Sequence, residues 1–330
     1  MLLDGTIMSY KYVFGPVMSG RLGLSLGLDL LGDRVCSMDC VYCEVGKTSN
    51  LTSERRPYVR AAEILDELEN WKNEKHELPD VVTLGGLGEP TLNSEMSEVI
   101  RGVKKLFPSI PVAVLTNATT MTDPGVRREL AEVDVILPSM DSLVPSEFRA
   151  VNRPCAGTDP VEVAEALIEF RKEFKGKIFL EVLLAEGYND SLQNLELMAD
   201  FRKRLRPDRV DVVTLTRPGT LENSRPVKKE VMELWKKELD AAPKKERDCG
   251  SGEKAEKRSG TVSSQNNGGD ADAYDRIQAS LTRRPQTAAQ LEQALGISNE
   301  EVREVLIRLK QGGNLMERSG SGDIFYSMKP

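Results

Sequence analysis

Between residues 23 and 235, short apolar runs and amphipathic segments alternate six times, and no other feature narrows the possible folds as far. The runs at 24–31, 81–84, 111–115, 133–138, 178–184 and 210–215 read as strands. The segments at 61–73, 94–106, 124–130, 161–174, 192–205 and 228–239 read as helices. In the fourth of these, Val163, Leu167, Phe170 and Phe174 share one face, while Glu162, Glu165, Glu169 and Lys172 fall outside it, which is a helical period and not an alternating one. Strand followed by helix, repeated, sets the strands parallel with helices packed outside, giving an α/β layer or an open barrel. Six units fall short of the eight that a closed barrel takes.

Cysteine usage is the second constraint. There are five, an odd number with three crowded into one short stretch, which is a poor disulfide framework and a good metal-site signature for a reducing compartment. The stretch is Cys36-Ser37-Met38-Asp39-Cys40-Val41-Tyr42-Cys43. Three thiolates on one tight loop can ligate three irons of a [4Fe–4S] cluster and leave the fourth open to a chelating small molecule. A structural zinc site needs four ligands, and neither a fourth nearby Cys nor a nearby His is available. The single histidine, His76, sits in Glu74-Lys75-His76-Glu77 and reads as a solvated helix-end residue.

The spacing CxxxCxxC, with an aromatic just before the last Cys, resembles the radical S-adenosylmethionine superfamily. Leu84-Gly85-Gly86-Leu87-Gly88-Glu89-Pro90-Thr91-Leu92 is similar to that family's glycine-rich turn after the second strand. Six units with the cysteine loop after the first strand are similar to its partial barrel. The resemblance implies an α/β fold with a partial (βα)6 TIM-like barrel over residues 1–240. It implies a [4Fe–4S] cluster on Cys36, Cys40 and Cys43, with S-adenosylmethionine as the second cofactor. The implied activity is reductive cleavage of S-adenosylmethionine to methionine and a 5′-deoxyadenosyl radical, which takes hydrogen from an unidentified substrate. By matching position, Gly86, Gly88 and Glu89 meet the methionine amino group, Asn117, Ser139 and Asp141 serve the ribose and carboxylate, and Tyr42 packs near the adenine. By their own chemistry the strand-end residues also suit turns or caps, and Tyr42 suits simple core packing. A flavodoxin- or ferredoxin-like electron donor is the implied partner.

A narrower resemblance runs from about Phe14 to Pro218. It is carried by Gly15-Pro16-Val17-Met18-Ser19-Gly20-Arg21-Leu22-Gly23, Ser25-Leu26-Gly27-Leu28-Asp29-Leu30, Val151-Asn152-Arg153-Pro154 and Gly187-Tyr188-Asn189-Asp190. These segments are similar to iron–sulfur oxidoreductases related to the enzymes of wybutosine synthesis, which build a tricyclic base in transfer RNA. Those enzymes carry further cysteines before the main loop. This chain has none before Cys36, so a second cluster is not implied.

Residues 241–272 break the pattern. They hold no aromatic and only Val262 as a branched aliphatic, too little apolar surface to offset the entropy of ordering, so a disordered linker is expected. Cys249, inside it, reads as a bystander thiol. Cys155, following Asn152-Arg153-Pro154, either lies near the active site or is an ordinary buried thiol. Residues 273–330 form a small domain, with Ile277, Leu281, Leu291, Leu295, Val302, Val305, Leu306 and Leu309 as its expected core. Thr287 can cap one helix, Ser298-Asn299-Glu300-Glu301 has capping-box spacing for the next, and Gly296 turns between them. Helix, helix-turn-helix and a closing hairpin resemble a winged helix, expected to fold independently of the barrel.

Its third helix sets Glu300, Glu301 and Glu304 beside Arg303, Arg308 and Lys310, and the whole chain carries 45 Lys+Arg against 52 Asp+Glu, a net −7. That balance disfavours DNA and favours contact with protein or presentation of substrate. Arg21, Arg55, Arg56, Arg60 and Arg153 are scattered and read as surface more than as an anion site. The alternative from another function class is an iron–sulfur redox sensor whose winged helix binds DNA or protein. The glycine-rich turn and the six-unit barrel have no purpose in such a sensor. No apolar run reaches the roughly 20 residues of a membrane span. Asp4 interrupts the short apolar start, so no signal peptide is expected, and the protein is expected to be cytoplasmic.

Overall fold

The computed structural model describes residues 10–74, 76–221, 223–241, 271–320 and 323–329. The expected linker falls almost wholly outside the described residues, and Cys249 with it. The chain enters on an antiparallel pair, β1 (Val13–Ser19) and β2 (Gly23–Leu28). Two short strands, β3 (Val35–Cys36) and β4 (Asn50–Leu51), pair in parallel across the cysteine loop, and α1 (Ala61–Asn73) follows. Next come β5 (Val81–Leu84), α2 (Met96–Leu106), β6 (Val112–Thr116), α3 (Pro124–Leu130), β7 (Val135–Pro138) and α4 (Pro145–Asn152). The barrel is completed by α5 (Pro160–Glu173), β8 (Lys177–Leu184), α6 (Leu192–Leu205), β9 (Arg209–Thr214) and α7 (Lys229–Glu238).

The strand order is β1-β2-β5-β6-β7-β8-β9, and the six strands from β2 onward run parallel. This is the partial barrel expected from six units, with β1 and β9 as its two edges. Side chains alternate across it. Leu26, Leu28, Val82, Leu84, Val112, Val114, Ile136, Leu180 and Val212 pack outward with the helices, while Val81, Ala113 and Leu137 face the other way with Leu22, Leu115 and Phe179. β2 stops at Leu28, earlier than the apolar run, because the Asp29 carboxylate accepts the Leu31 amide at 3.1 Å and turns the chain. β1 is the strand of the main sheet that periodicity missed, besides the two-residue strands β3 and β4. Its Gly15-Pro16 pair breaks the alternation and the register slips between Phe14 and Val17, which an edge strand tolerates. His76 is exposed and stacks on Trp71 with ring centroids 4.8 Å apart.

Beyond the undescribed segment, α8 (Ala271–Arg283), α9 (Ala288–Leu295) and α10 (Asn299–Gln311) precede a hairpin of β10 (Leu315–Gly320) and β11 (Asp323–Met328). Thr287 with Gln290, and Ser298 with Glu301, form complete capping boxes, and Gly296 ends α9 in the left-handed region at φ +64°. The module's core is its own: Ile277, Leu281, Leu291, Val302, Val305, Leu306 and Leu309 as expected, with Ile297 and Leu315 added and Leu295 only partly buried. That cluster is separate from the barrel core. Among the described residues no helix is long and apolar enough to cross a membrane.

Candidate active site

The cysteine loop leaves β3 at the C-terminal end of the barrel strands, where barrel enzymes carry their chemistry. It is laced to three other segments by main-chain hydrogen bonds. Asp39 and Val41 donate to the carbonyls of Asn152 and Val151, at 3.0 and 2.9 Å, and Cys155 donates to that of Ser37 at 2.9 Å. Thr52 donates to the Cys36 carbonyl at 2.9 Å. From the segment after β9, the Thr220 hydroxyl reaches the Cys40 carbonyl at 2.8 Å and the Leu221 amide reaches that of Val41 at 3.2 Å. These hydrogen bonds fix the backbone that carries the three thiols.

The glycine-rich turn follows β5 and abuts the same loop. A Cβ on Gly88 would overlap the Val35 carbonyl oxygen, and that oxygen accepts the Glu89 amide at 3.0 Å. Glu89 is 2 % exposed. Its carboxylate accepts from the Thr91 amide and hydroxyl at 3.1 and 2.6 Å, the Thr116 hydroxyl at 2.7 Å and the Asn117 amide at 2.6 Å. Burial raises its pKa, and these donors oppose the shift. Glu89 therefore ties the turn to the end of β6. There the Asn117 side-chain amide donates to Ser37 Oγ at 3.0 Å and lies 3.5 Å from Cys36 Sγ.

Across the loop, Asp141 is 2 % exposed, and burial raises its pKa. Its carboxylate accepts from the Tyr42 hydroxyl, from Asn152 Nδ2 at 2.7 Å and from the Leu183 amide at 2.9 Å. The Asp141 carbonyl is held by the side-chain amides of Asn189 at 2.8 Å and Asn194 at 3.0 Å. Asn152 Nδ2 also lies 3.4 Å from Cys40 Sγ. Ser139 is half-buried after β7 and donates its amide to the Thr116 carbonyl at 2.9 Å. Thus Tyr42 and Asp141 meet each other, Glu89 and Asn117 meet each other, and Ser139 stands on the strand end between these groups.

Sequence reasoning gave Asn152 and Asn189 no roles. Each lay in a segment already singled out, but a buried amide's task is legible only once its partners are placed. The scattered arginines are mostly paired and not merely solvated. Arg21 pairs with Glu181, Arg55 with Glu129 at 2.6 Å, Arg60 with Glu95 at 2.9 Å and Arg153 with Asp39 at 3.2 Å.

The donor set fits an iron–sulfur cluster. All three thiols are half-buried, and two have a side-chain amide aimed at sulfur, which suits a ligand carrying negative charge. Among the described residues no three His, Cys, Asp or Glu side chains converge on a single ion. In a polynuclear cluster each thiolate takes a different iron, so convergence is not required. Burial pushes the Cys40 thiol up to about 12, with Cys43 and Asp141 adding to the shift, and burial raises Cys36 and Cys43 as well. Iron binding therefore releases protons from thiols.

The profile of the Radical SAM superfamily matches residues 33–199, which include the cysteine loop, the glycine-rich turn, Asn117 and Asp141. A UPF0026 protein of Synechocystis sp. is 35% identical over 217 residues, covering 65% of this chain and 79% of that protein. A protein of Brachyspira hyodysenteriae named GTPase Obg is 32% identical over 320 residues, 96% of this chain and 45% of that one. The chain thus spans less than half the length of this relative. The "probable dual-specificity RNA methyltransferase RlmN" of Thermus thermophilus is 29% identical over 183 residues, 52% of this chain and 48% of that protein. With half of its length under one profile and most of a UPF0026 protein matched, the chain belongs to the UPF0026 family of the radical S-adenosylmethionine superfamily, enzymes whose cofactors are a [4Fe–4S] cluster and S-adenosylmethionine.

Proposed function

We propose that the protein abstracts a hydrogen atom from a substrate C–H bond, with an RNA base as the class that both the wybutosine resemblance and the RNA methyltransferase match support. When bound, the reduced cluster supplies one electron to S-adenosylmethionine, giving methionine and the 5′-deoxyadenosyl radical that takes the hydrogen. The observation that carries this reading is the arrangement of Cys36, Asn117, Glu89 and the Gly86–Gly88 backbone on one end of the barrel. The residues divide the work. Cys36, Cys40 and Cys43 hold the cluster. The backbone of Gly86 and Gly88, braced by Glu89, receives the amino group of the cofactor's methionine end. Asn117 and Ser139 orient its ribose and carboxylate, and the buried Asp141, whose carboxylate is taken by Tyr42, Asn152 and the Leu183 amide, pins Tyr42, which packs toward the adenine. A flavodoxin- or ferredoxin-like protein supplies the electron.

With dithionite and S-adenosylmethionine, the anaerobically reconstituted protein is expected to release 5′-deoxyadenosine slowly without substrate, measured by chromatography. Protein with a full cluster that neither binds nor cleaves S-adenosylmethionine would sink the enzyme reading in favour of the redox sensor.

Asn152 acts on this site as a positioning residue. Its amide bond to Cys40 stabilises the more negative, reduced cluster, because a donor at sulfur offsets added charge. Asn152→Leu is expected to lower the midpoint potential in a redox titration followed by electron paramagnetic resonance, with iron content retained. An unchanged potential would reduce Asn152 to a packing role.

A further inference from the structure

The C-terminal module sits across the open side of the partial barrel. Its apolar core is separate from that of the barrel, and the two meet through α9 against β1 and through two arginines. At one edge the Arg283 guanidinium lies 4.1 Å from the Phe14 ring centroid on β1, donates to the Lys11 carbonyl at 3.0 Å and stands 3.7 Å from the buried Asp29 carboxylate. Toward the other edge, Arg318 on β10 donates to the Gly219 carbonyl at 3.2 Å, in the segment after β9. Gly219 is itself pressed on the cysteine loop, for a Cβ there would stand 2.7 Å from Tyr42 Cα.

Between the module and the cysteine loop this docking leaves a cavity of about 170 Å³. Cys43 lines it, with Arg34, Lys47, Arg284 and Arg318 against the single carboxylate of Glu44. That carboxylate is already taken by Arg217 at 2.9 Å. Arg34 and Arg284 have no ion-pair partner among the described residues, and Arg284 is crowded further by Arg217. Burial and that neighbour both lower its pKa, against a weaker opposing pull from Glu44. Such a concentration of cations, three half-buried and one exposed, on a chain of net charge −7, leaves positive charge that an anion would neutralise. The volume is below the roughly 300 Å³ of a whole drug-sized ligand site, so it suits one group of a larger molecule.

We infer that this seam is a subsite for a phosphate group of the substrate, built jointly by the cysteine loop and the C-terminal module through Arg34, Lys47, Arg284 and Arg318. It rests on the enzyme reading above and adds the anionic group by which the substrate is held beside the cluster. The guanidinium forks of Arg34 and Arg284 supply bidentate donors, and Lys47, exposed at the rim, supplies a steering charge.

The test is binding of inorganic pyrophosphate to the full chain, followed by phosphorus NMR line width. Binding is expected, and Arg284→Gln and Arg34→Gln should each weaken it about tenfold, the loss of a charge-assisted contact. Lys47→Gln, on an exposed side chain that packing does not need, should weaken it by about threefold and guards against misfolded variants. Circular dichroism melts check the fold of all three. A short RNA oligonucleotide binding more tightly than pyrophosphate assigns the phosphate to a polynucleotide, and equal or weaker binding assigns it to a small phosphorylated metabolite. Either result supports the subsite. No pyrophosphate binding up to about 10 mM, or affinity unchanged in all three variants, would overturn it. So would variants that slow cluster reduction by an acidic electron-carrier protein while leaving pyrophosphate affinity intact, since the seam would then dock the reductant. Because the readout needs no radical chemistry, pyrophosphate binding in a protein that fails to cleave S-adenosylmethionine refutes the enzyme reading and not the anion site.

Discussion

Alanine at Cys36, Cys40 or Cys43, one at a time, is expected to take iron from about four atoms per chain to below about one after anaerobic reconstitution. Three protein thiolates leave one iron for S-adenosylmethionine, so the cluster has no spare ligand to lose. The lacing of the loop to residues 151–155, Thr52 and Thr220 prevents a remaining thiol from moving to compensate. Cys249→Ala is expected to leave iron unchanged, because neither Cys nor His lies near it in sequence. Full iron loading in any of the three variants would refute the ligand assignment. So would stoichiometric zinc in protein purified without oxygen.

Gly88→Ala is the second large effect. The added carbon would overlap the Val35 carbonyl oxygen and stand 2.6 Å from its carbon, and neither is the tip of a flexible side chain that can swing aside. Relief requires moving Val35, and with it Cys36, or parting the Glu89 amide from that carbonyl. Overpacking against backbone should cost about 3 kcal/mol and impair cluster loading. Gly20→Ala is the control, with nothing within 4 Å of the new carbon. Thermal melts and iron assays on both proteins decide the matter. If Gly88→Ala melts with the parent and loads iron fully, the turn does not need its close approach to the cysteine loop.

The phosphate subsite and the cluster make separate demands on one protein. Arg283 and Arg318 hold the module by hydrogen bonds and by the stacking of Arg283 on Phe14, and its apolar core stays separate from that of the barrel.

Much of the fold was legible because it is written in local chemistry. A two-residue or helical period reports which face of an element is apolar, and all six parallel strands and most helices followed from it. The short helix α4 did not, since only Phe148 and Val151 mark its buried face. The Thr287 cap of α9 and the capping box of α10 were equally readable, because cap and partner lie within three residues, while the Gln290 half of the α9 box came only with the structure. The proposed cluster ligands were nameable for the same reason: three thiols within one loop need no tertiary partner to be recognised as a set.

Other roles depended on residues distant in sequence. Nothing in the strand ends announced that Glu89 would be spent on Thr91, Thr116 and Asn117, or that Asp141 would bind Tyr42 and Asn152. The pairing of Arg21 with Glu181 spans 160 residues. The seam holding Arg34, Lys47, Arg284 and Arg318 joins two segments more than two hundred residues apart, each unremarkable alone. The sequence by itself determined the strand and helix rhythm, the caps and the grouping of three thiols on one loop, because propensity, periodicity and spacing act over a few residues. Tertiary structure alone decided which buried carboxylates are occupied and where unpaired cations meet, because hydrogen bonding and charge depend on distance in space and not on separation along the chain.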